Sequence, residues 1–77
     1  MKEDEKILLA LAARTLAFLR DHRQHCYTAE ELVENPKIMR DDKADSARMT
    51  EICEELSKEG LVEPRREEKG RCYQGVR

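Results

Sequence analysis

The chain has 77 residues, 42% of them charged, with 15 Lys and Arg against 17 Asp and Glu for a net charge of −2. That length leaves room for one domain over residues 1–77 and no second, and the near balance of charge argues against disorder, which needs high net charge. Only 15 residues are Leu, Ile, Val or Phe, and ordering costs about 1.5 kcal/mol per residue, so a partner subunit is a live option for completing the core.

The longest run without a charge is Ile7 to Ala13, far short of the roughly 20 apolar residues that cross a bilayer. The start, Met1-Lys2-Glu3-Asp4-Glu5-Lys6, is mainly acidic and unlike the basic opening of a secretory leader. No membrane is expected, and the default location is cytoplasmic. Cys26, Cys53 and Cys72 are an odd set without CxxC spacing, which fits reduced thiols better than a disulfide framework.

Glu3 to His22 lacks Pro and Gly and is rich in Leu, Ala and Arg, so it reads as a first helix of about five turns. At about 100° per residue, Leu8, Leu9, Ala12, Leu16 and Leu19 fall on one core-facing stripe. Ile7, Leu11 and Phe18 lie further round and widen the apolar arc beyond what one core uses. That strip is the expected homodimer interface, because exposed apolar surface on a small protein marks contact sites; a cover from the C-terminal segment is the other reading.

His25-Cys26-Tyr27 has the makings of a very short strand. Thr28-Ala29-Glu30-Glu31 has the form of a capping box, in which the Thr28 hydroxyl and the Glu31 carboxylate each accept from the other's amide and start a helix. Leu32 and Val33 point inward, and Asn35-Pro36 ends the helix, since the residue before a proline is driven out of the α region. Residues 37 to 46 form a polar connector with Ile38 and Met39 as core anchors, and Asp42, Asp45 or Ser46 can cap the next helix. This third helix, over about Ser46 to Glu59, places Met49, Ile52, Cys53 and Leu56 on one face, and Gly60 with Leu61 after it suits a Schellman stop. Leu61 to Arg66 and Arg71 to Val76, joined by Glu67-Glu68-Lys69-Gly70, read as a hairpin with Pro64 confined to an edge. The expected core is Leu8, Leu9, Ala12, Leu16, Leu19, Leu32, Ile38, Met49, Ile52, Cys53, Leu56 and Leu61.

This order of elements resembles the winged helix-turn-helix superfamily. Tyr27-Thr28-Ala29-Glu30-Glu31-Leu32 and the run from Ile52 through Glu54-Glu55-Leu56 and Glu59-Gly60-Leu61-Val62-Glu63 to Arg65 carry the resemblance. It implies an α+β fold of three helices with a small antiparallel β-hairpin wing, and a DNA-binding transcriptional regulator in which the third helix enters the major groove while the wing touches phosphate. Between Pro64 and Arg77 the chain carries a local charge of +3, and basic side chains at a loop tip neutralise phosphates. The candidate contacts to double-stranded DNA are therefore Lys43, Ser46, Ala47 and Thr50 at the start of the helix, with Arg65, Arg66, Lys69 and Arg71 in the wing. Three features favour an alternative, a winged-helix protein-interaction module without DNA contact. The whole chain is acidic, Glu51 and Glu54 point outward from the third helix, and the connector from Pro36 to Asp45 is ten residues where a helix-turn-helix uses three or four, so that either part of it is an extra helical turn or the two helices are set further apart than in DNA-reading members.

His22, His25 and Cys26 put three potential metal ligands in five residues, with Cys72 a fourth if the last strand pairs beside Cys26. Structural zinc normally uses ligand pairs at C-x₂₋₄-C spacing, so the expectation is no metal: solvated histidines, and cysteines packed as small apolar groups. Ser46, Ser57 and the histidines form no nucleophile motif, and Gly60, Gly70 and Gly75 no phosphate loop. Neither catalysis nor a cofactor is indicated.

Overall fold

A computed structural model of the chain describes the backbone of residues 3–40 and 43–76 and the side chains of 8–40 and 43–76. Among the described residues the order is α1 (Glu3–Asp21), β1 (Tyr27–Thr28), α2 (Ala29–Val33), α3 (Pro36–Met39), α4 (Ser46–Lys58), β2 (Val62–Glu67) and β3 (Gly70–Gly75). The strands form one antiparallel sheet in the order β1-β3-β2. The architecture is α+β as expected, but with four helices rather than three. The extra one is α3, built where Asn35 leaves the helical region, accepts from the Lys37 amide and puts Pro36 at the first helical position, the place where a missing N–H costs nothing. Four residues of the long connector thus form a turn of helix that buries Ile38 and Met39.

Local chemistry sets the other boundaries. The Thr28–Glu31 capping box forms, with the Thr28 amide donating to Glu31 Oε1 at 2.8 Å and the Glu31 amide to Thr28 Oγ1 at 3.2 Å. Of the three candidate caps for α4, Asp45 serves, accepting from the Arg48 amide at 2.8 Å; Asp42 lies outside the described residues. At the other end Gly60 takes φ 76°, the Leu61 amide donates to the Leu56 carbonyl and the Gly60 amide to that of Ser57, which is the Schellman pair. Glu67 pairs with Gly70, and Pro64 sits on β2 at the sheet edge, where a missing donor is tolerated.

The core corrects the reading of α1. Leu11 is 1% exposed and Leu9 is 59% exposed, the reverse of the expectation that Leu9 faces inward and Leu11 outward. The buried stripe runs Leu11, Thr15, Leu19, with Leu8, Ala12, Leu16 and Phe18 partly buried on its flanks. Thr15 supplies the missing phase. Its hydroxyl donates to the Leu11 carbonyl at 2.8 Å with Met49 Sδ at 3.7 Å, so a fully buried polar group is satisfied inside its own helix. The expected dimer strip therefore does not exist as a strip: Leu11 belongs to the core, Phe18 stacks on His22 with ring centroids 4.2 Å apart and meets Tyr27 edge-on at 5.1 Å, and the Ile7 side chain lies outside the described residues. The C-terminal segment does pack on α1. Gly75 sits so close to the Leu19 carbonyl that no Cβ would fit.

A second correction concerns the cysteines. Cys26 and Cys72 are bonded to each other with Cα atoms 5.5 Å apart and a sequence separation of 46. β1 pairs with β3 and carries Cys26, just before its first residue, to Cys72. On the loop-entropy model, closing a loop of that length stabilises the fold by about 4 kcal/mol. Cys53 is free and fully buried on α4, and burial pushes its thiol up to about 12, so it remains a neutral packing group.

Candidate functional site

The residues expected to touch DNA lie on or next to α4 and in the β2–β3 hairpin, some of them paired within the fold and others exposed. On α4 and just before it, Lys43 and Ala47 are exposed while Ser46 and Thr50 are half-buried. The Thr50 hydroxyl donates to the Ser46 carbonyl at 2.8 Å, turning inward along its own helix. The exposed cation of the first turn is Arg48, which lies off the outward face that the helical projection selects, and it faces Glu51 at 3.9 Å. At the far end, Lys58 faces Glu55 at 3.5 Å.

In the hairpin, three of the four expected cations hold the fold to itself. Arg71 places Nε 2.7 Å and Nη2 3.2 Å from the two oxygens of Glu54, a bidentate clasp between β3 and α4 of the kind guanidinium and carboxylate planes favour. The Tyr73 hydroxyl donates to the same carboxylate at 2.5 Å. Arg71, then Tyr73, hold the Glu54 carboxyl below its ordinary range, whereas burial, with the bond to Glu54 second, pushes the Tyr73 hydroxyl up to about 12. Lys69 donates to the Cys26 carbonyl at 2.6 Å and lies 3.0 Å from Glu31, whose carboxyl is lowered first by the Thr28 amide. Arg65 donates to Gln74 Oε1 at 2.9 Å, and Gln74 in turn donates to the Arg23 carbonyl. Arg66 is exposed opposite Arg71 in the register.

A second surface lies between α1 and α4. Leu8, Leu9, Ala12, Ile52 and Leu56 floor a groove with Glu51, Glu55 and Glu59 along its α4 side. Those glutamates recur every four residues, so they form one line along the helix. Sequence reasoning missed this groove because it placed Leu9 in the core; the signal was Thr15, whose inclusion in the apolar stripe rotates Leu9 outward.

The third cluster is Cys26, Glu67 and Cys72, whose sulfur and carboxylate oxygen atoms all lie within 4.8 Å of one another. The last strand does pair beside Cys26, as the sequence allowed, but the histidines do not join it. His22 Nδ1 is 2.9 Å from the Phe18 carbonyl oxygen and its ring stacks on Phe18, while His25 is exposed. Glu67 was not anticipated; its register opposite Gly70 could not be fixed without the turn. No helix among the described residues is long and apolar enough to cross a membrane. No family model, curated protein or solved structure matches the chain.

Proposed function

We propose that the chain is a winged-helix module whose task is contact with another protein, through the groove between α1 and α4. The winged-helix reading is supported by the β1-β3-β2 order and by a capped helix leading through Gly60 into the hairpin. The observation that carries the choice of partner is the Glu54–Arg71–Tyr73 clasp. It engages the hairpin arginine that faces α4 and sets its carboxylate partner on the helix that DNA would meet, in the same stretch as Glu51 and Glu55. Phosphates approaching α4 meet more carboxylate than guanidinium. The groove offers the opposite chemistry, an apolar floor with an acidic edge, and its occupant is an amphipathic helical segment of a partner with Leu-type residues on one face and Lys or Arg beside them.

A test uses backbone amide shifts of the full chain titrated with a helical Leu/Lys peptide and, separately, with a mixed-sequence duplex. The expected result is shifts at Leu8, Leu9, Ala12, Glu51 and Glu55 with the peptide, lost in Leu9→Glu, and no salt-dependent binding of duplex. Sedimentation that shows a dimer abolished by Leu9→Glu would assign the groove to a second copy and overturn the heterologous partner. The DNA regulator is the second reading, favoured by the exposure of Arg66, Lys43 and Arg48. Duplex binding with log affinity falling by about 0.9 per phosphate contact against log salt, and shifts confined to Lys43–Thr50 and Arg65–Arg71, would establish it instead.

A further inference from the structure

The geometry points to Cys26, Cys72 and Glu67 as a binding site for a soft divalent cation, zinc in the first instance, that opens when the Cys26–Cys72 bond is reduced. The three ligands come from three neighbouring chain segments. Cys26 immediately precedes β1, Cys72 lies in β3, and Glu67 ends β2. The strand order β1-β3-β2 brings these segments side by side. Cys72 pairs with Arg65, and since side chains two apart along a strand share a face, Glu67 projects to the same side as Cys72.

Distances agree with a metal centre. Zinc holds thiolate sulfur at about 2.3 Å and carboxylate oxygen at about 2.0 to 2.2 Å, so two sulfurs on one tetrahedral zinc stand about 3.8 Å apart. The ligand atoms already lie within 4.8 Å of one another, and once the bond is reduced the two sulfurs need part only to about 3.8 Å to meet one zinc. Cys72 is fully buried and Cys26 is 8% exposed. Two thiolates side by side in so dry a place repel each other, and a divalent cation cancels both charges. Lys69, donating to the Cys26 carbonyl at 2.6 Å, adds a positive charge that favours thiolate at this end of the sheet. Two sulfurs and one carboxylate select zinc over magnesium or calcium, which prefer all-oxygen sets. Glu67 is exposed, so its side of the site meets solvent and leaves the fourth position to water.

The chemistry balances in two steps. A dithiol supplies two electrons and two protons to the Cys26–Cys72 bond, giving two thiols and leaving as its own disulfide. Zinc then displaces both thiol protons to buffer and forms two Zn–S bonds and one Zn–O bond to the ionised Glu67, with no change of oxidation state at the metal. None of these residues lines the α1–α4 groove, so the site stands or falls apart from the protein-contact reading.

The experiment titrates zinc into the full chain against a chromophoric chelator, once with the cysteines oxidised and once after reduction by a phosphine, with cobalt as a spectroscopic substitute for thiolate ligation. The expected result is one zinc per reduced chain with release of two protons, none per oxidised chain, a thiolate-to-cobalt absorption band, and loss of both in Cys72→Ser. Glu67→Gln, at an exposed position that leaves the fold intact, weakens affinity by at least about tenfold, the lower bound even for residues that only support a ligand. Equal affinity in reduced and oxidised chains, or undiminished affinity in Glu67→Gln, would overturn the site; neither comparison depends on a cysteine substitution that folds poorly.

Discussion

Truncation of two leucines on the same helix separates the observed packing of α1 from the one its apolar count suggests. Leu11 is 1% exposed in the main core cluster, and Leu9, two residues earlier, is 59% exposed. Leu11→Ala removes a fully buried isobutyl group and leaves a cavity against the core, a change that costs about 2 to 5 kcal/mol. A domain of this size has only about 4 to 12 kcal/mol in total. A loss near 3 kcal/mol, about the middle of the truncation range, therefore consumes a large share of it and lowers Tm by about 12 to 24 °C. Leu9→Ala gives up little burial and shifts stability by no more than about 0.5 kcal/mol. Urea denaturation monitored by far-UV circular dichroism measures both, with wild type and variants held in one redox state because opening Cys26–Cys72 changes the reference chain. Leu11→Glu, which a dimer strip would turn into a folded monomer, instead abolishes folding by placing a charge in the cluster that holds Leu19, Ile38 and Met49. If Leu9→Ala proves as costly as Leu11→Ala, the inward phase of Leu11 on α1 is wrong.

Gly75→Ala would drive a methyl group into backbone atoms of α1, with the Arg20 nitrogen 2.8 Å from the new Cβ; backbone cannot rotate aside, so the substitution costs about 1 to 3 kcal/mol as overpacking does, and a neutral thermal melt would show that β3 lifts from α1 freely. Acid sensitivity should track Glu54 and Glu31, whose folded carboxyls are lowered from 4.5 by Arg71 and by the Thr28 amide respectively. Their stabilisation is complete above the unfolded value and is lost as pH falls through the lowered folded values, so Glu54→Gln flattens the stability profile below about pH 4.5, and an unchanged acid limb would remove the clasp from the account.

Much of the chain was legible because its boundaries are written in short-range chemistry. Thr28 with Glu31, Asp45 ahead of α4, and Gly60 with Leu61 each act over a few residues, and the structure uses all of them. Pro64 on an edge and the hairpin closing at Gly70 belong to the same class. The phase of α1 was not legible because Thr15 counts as polar by type, and only a helix that returns the hydroxyl to the Leu11 carbonyl makes it apolar in effect. α3 stood in the sequence only as one of two accounts of the long connector, an extra helical turn, because one turn has too few residues for a periodic signal and Asn35-Pro36 is as good a start as a stop.

The candidate site was hardest to read because its charges are paired across the fold. Between Pro64 and Arg77 the sequence counts +3, yet Arg71 meets Glu54 from a helix 17 residues earlier and Lys69 meets Glu31 from 38 residues earlier. A linear sum of charge says nothing about such pairs. Both are solvent-exposed on one side, and exposed ion pairs are worth about 0 to 1 kcal/mol, so a strong anion could draw Arg71 away from Glu54. Doing so would release an ionised carboxylate onto the helix face next to Glu51, and the Tyr73 hydroxyl would lose its acceptor. A phosphate thus gains one cation and inherits one anion for each pair it opens. The groove between α1 and α4 makes a smaller exchange: Glu51 and Glu55 face Arg48 and Lys58 at 3.9 and 3.5 Å in exposed pairs, but its floor is already apolar, and a basic helical segment covering Leu9 gains that burial whichever cation each glutamate keeps.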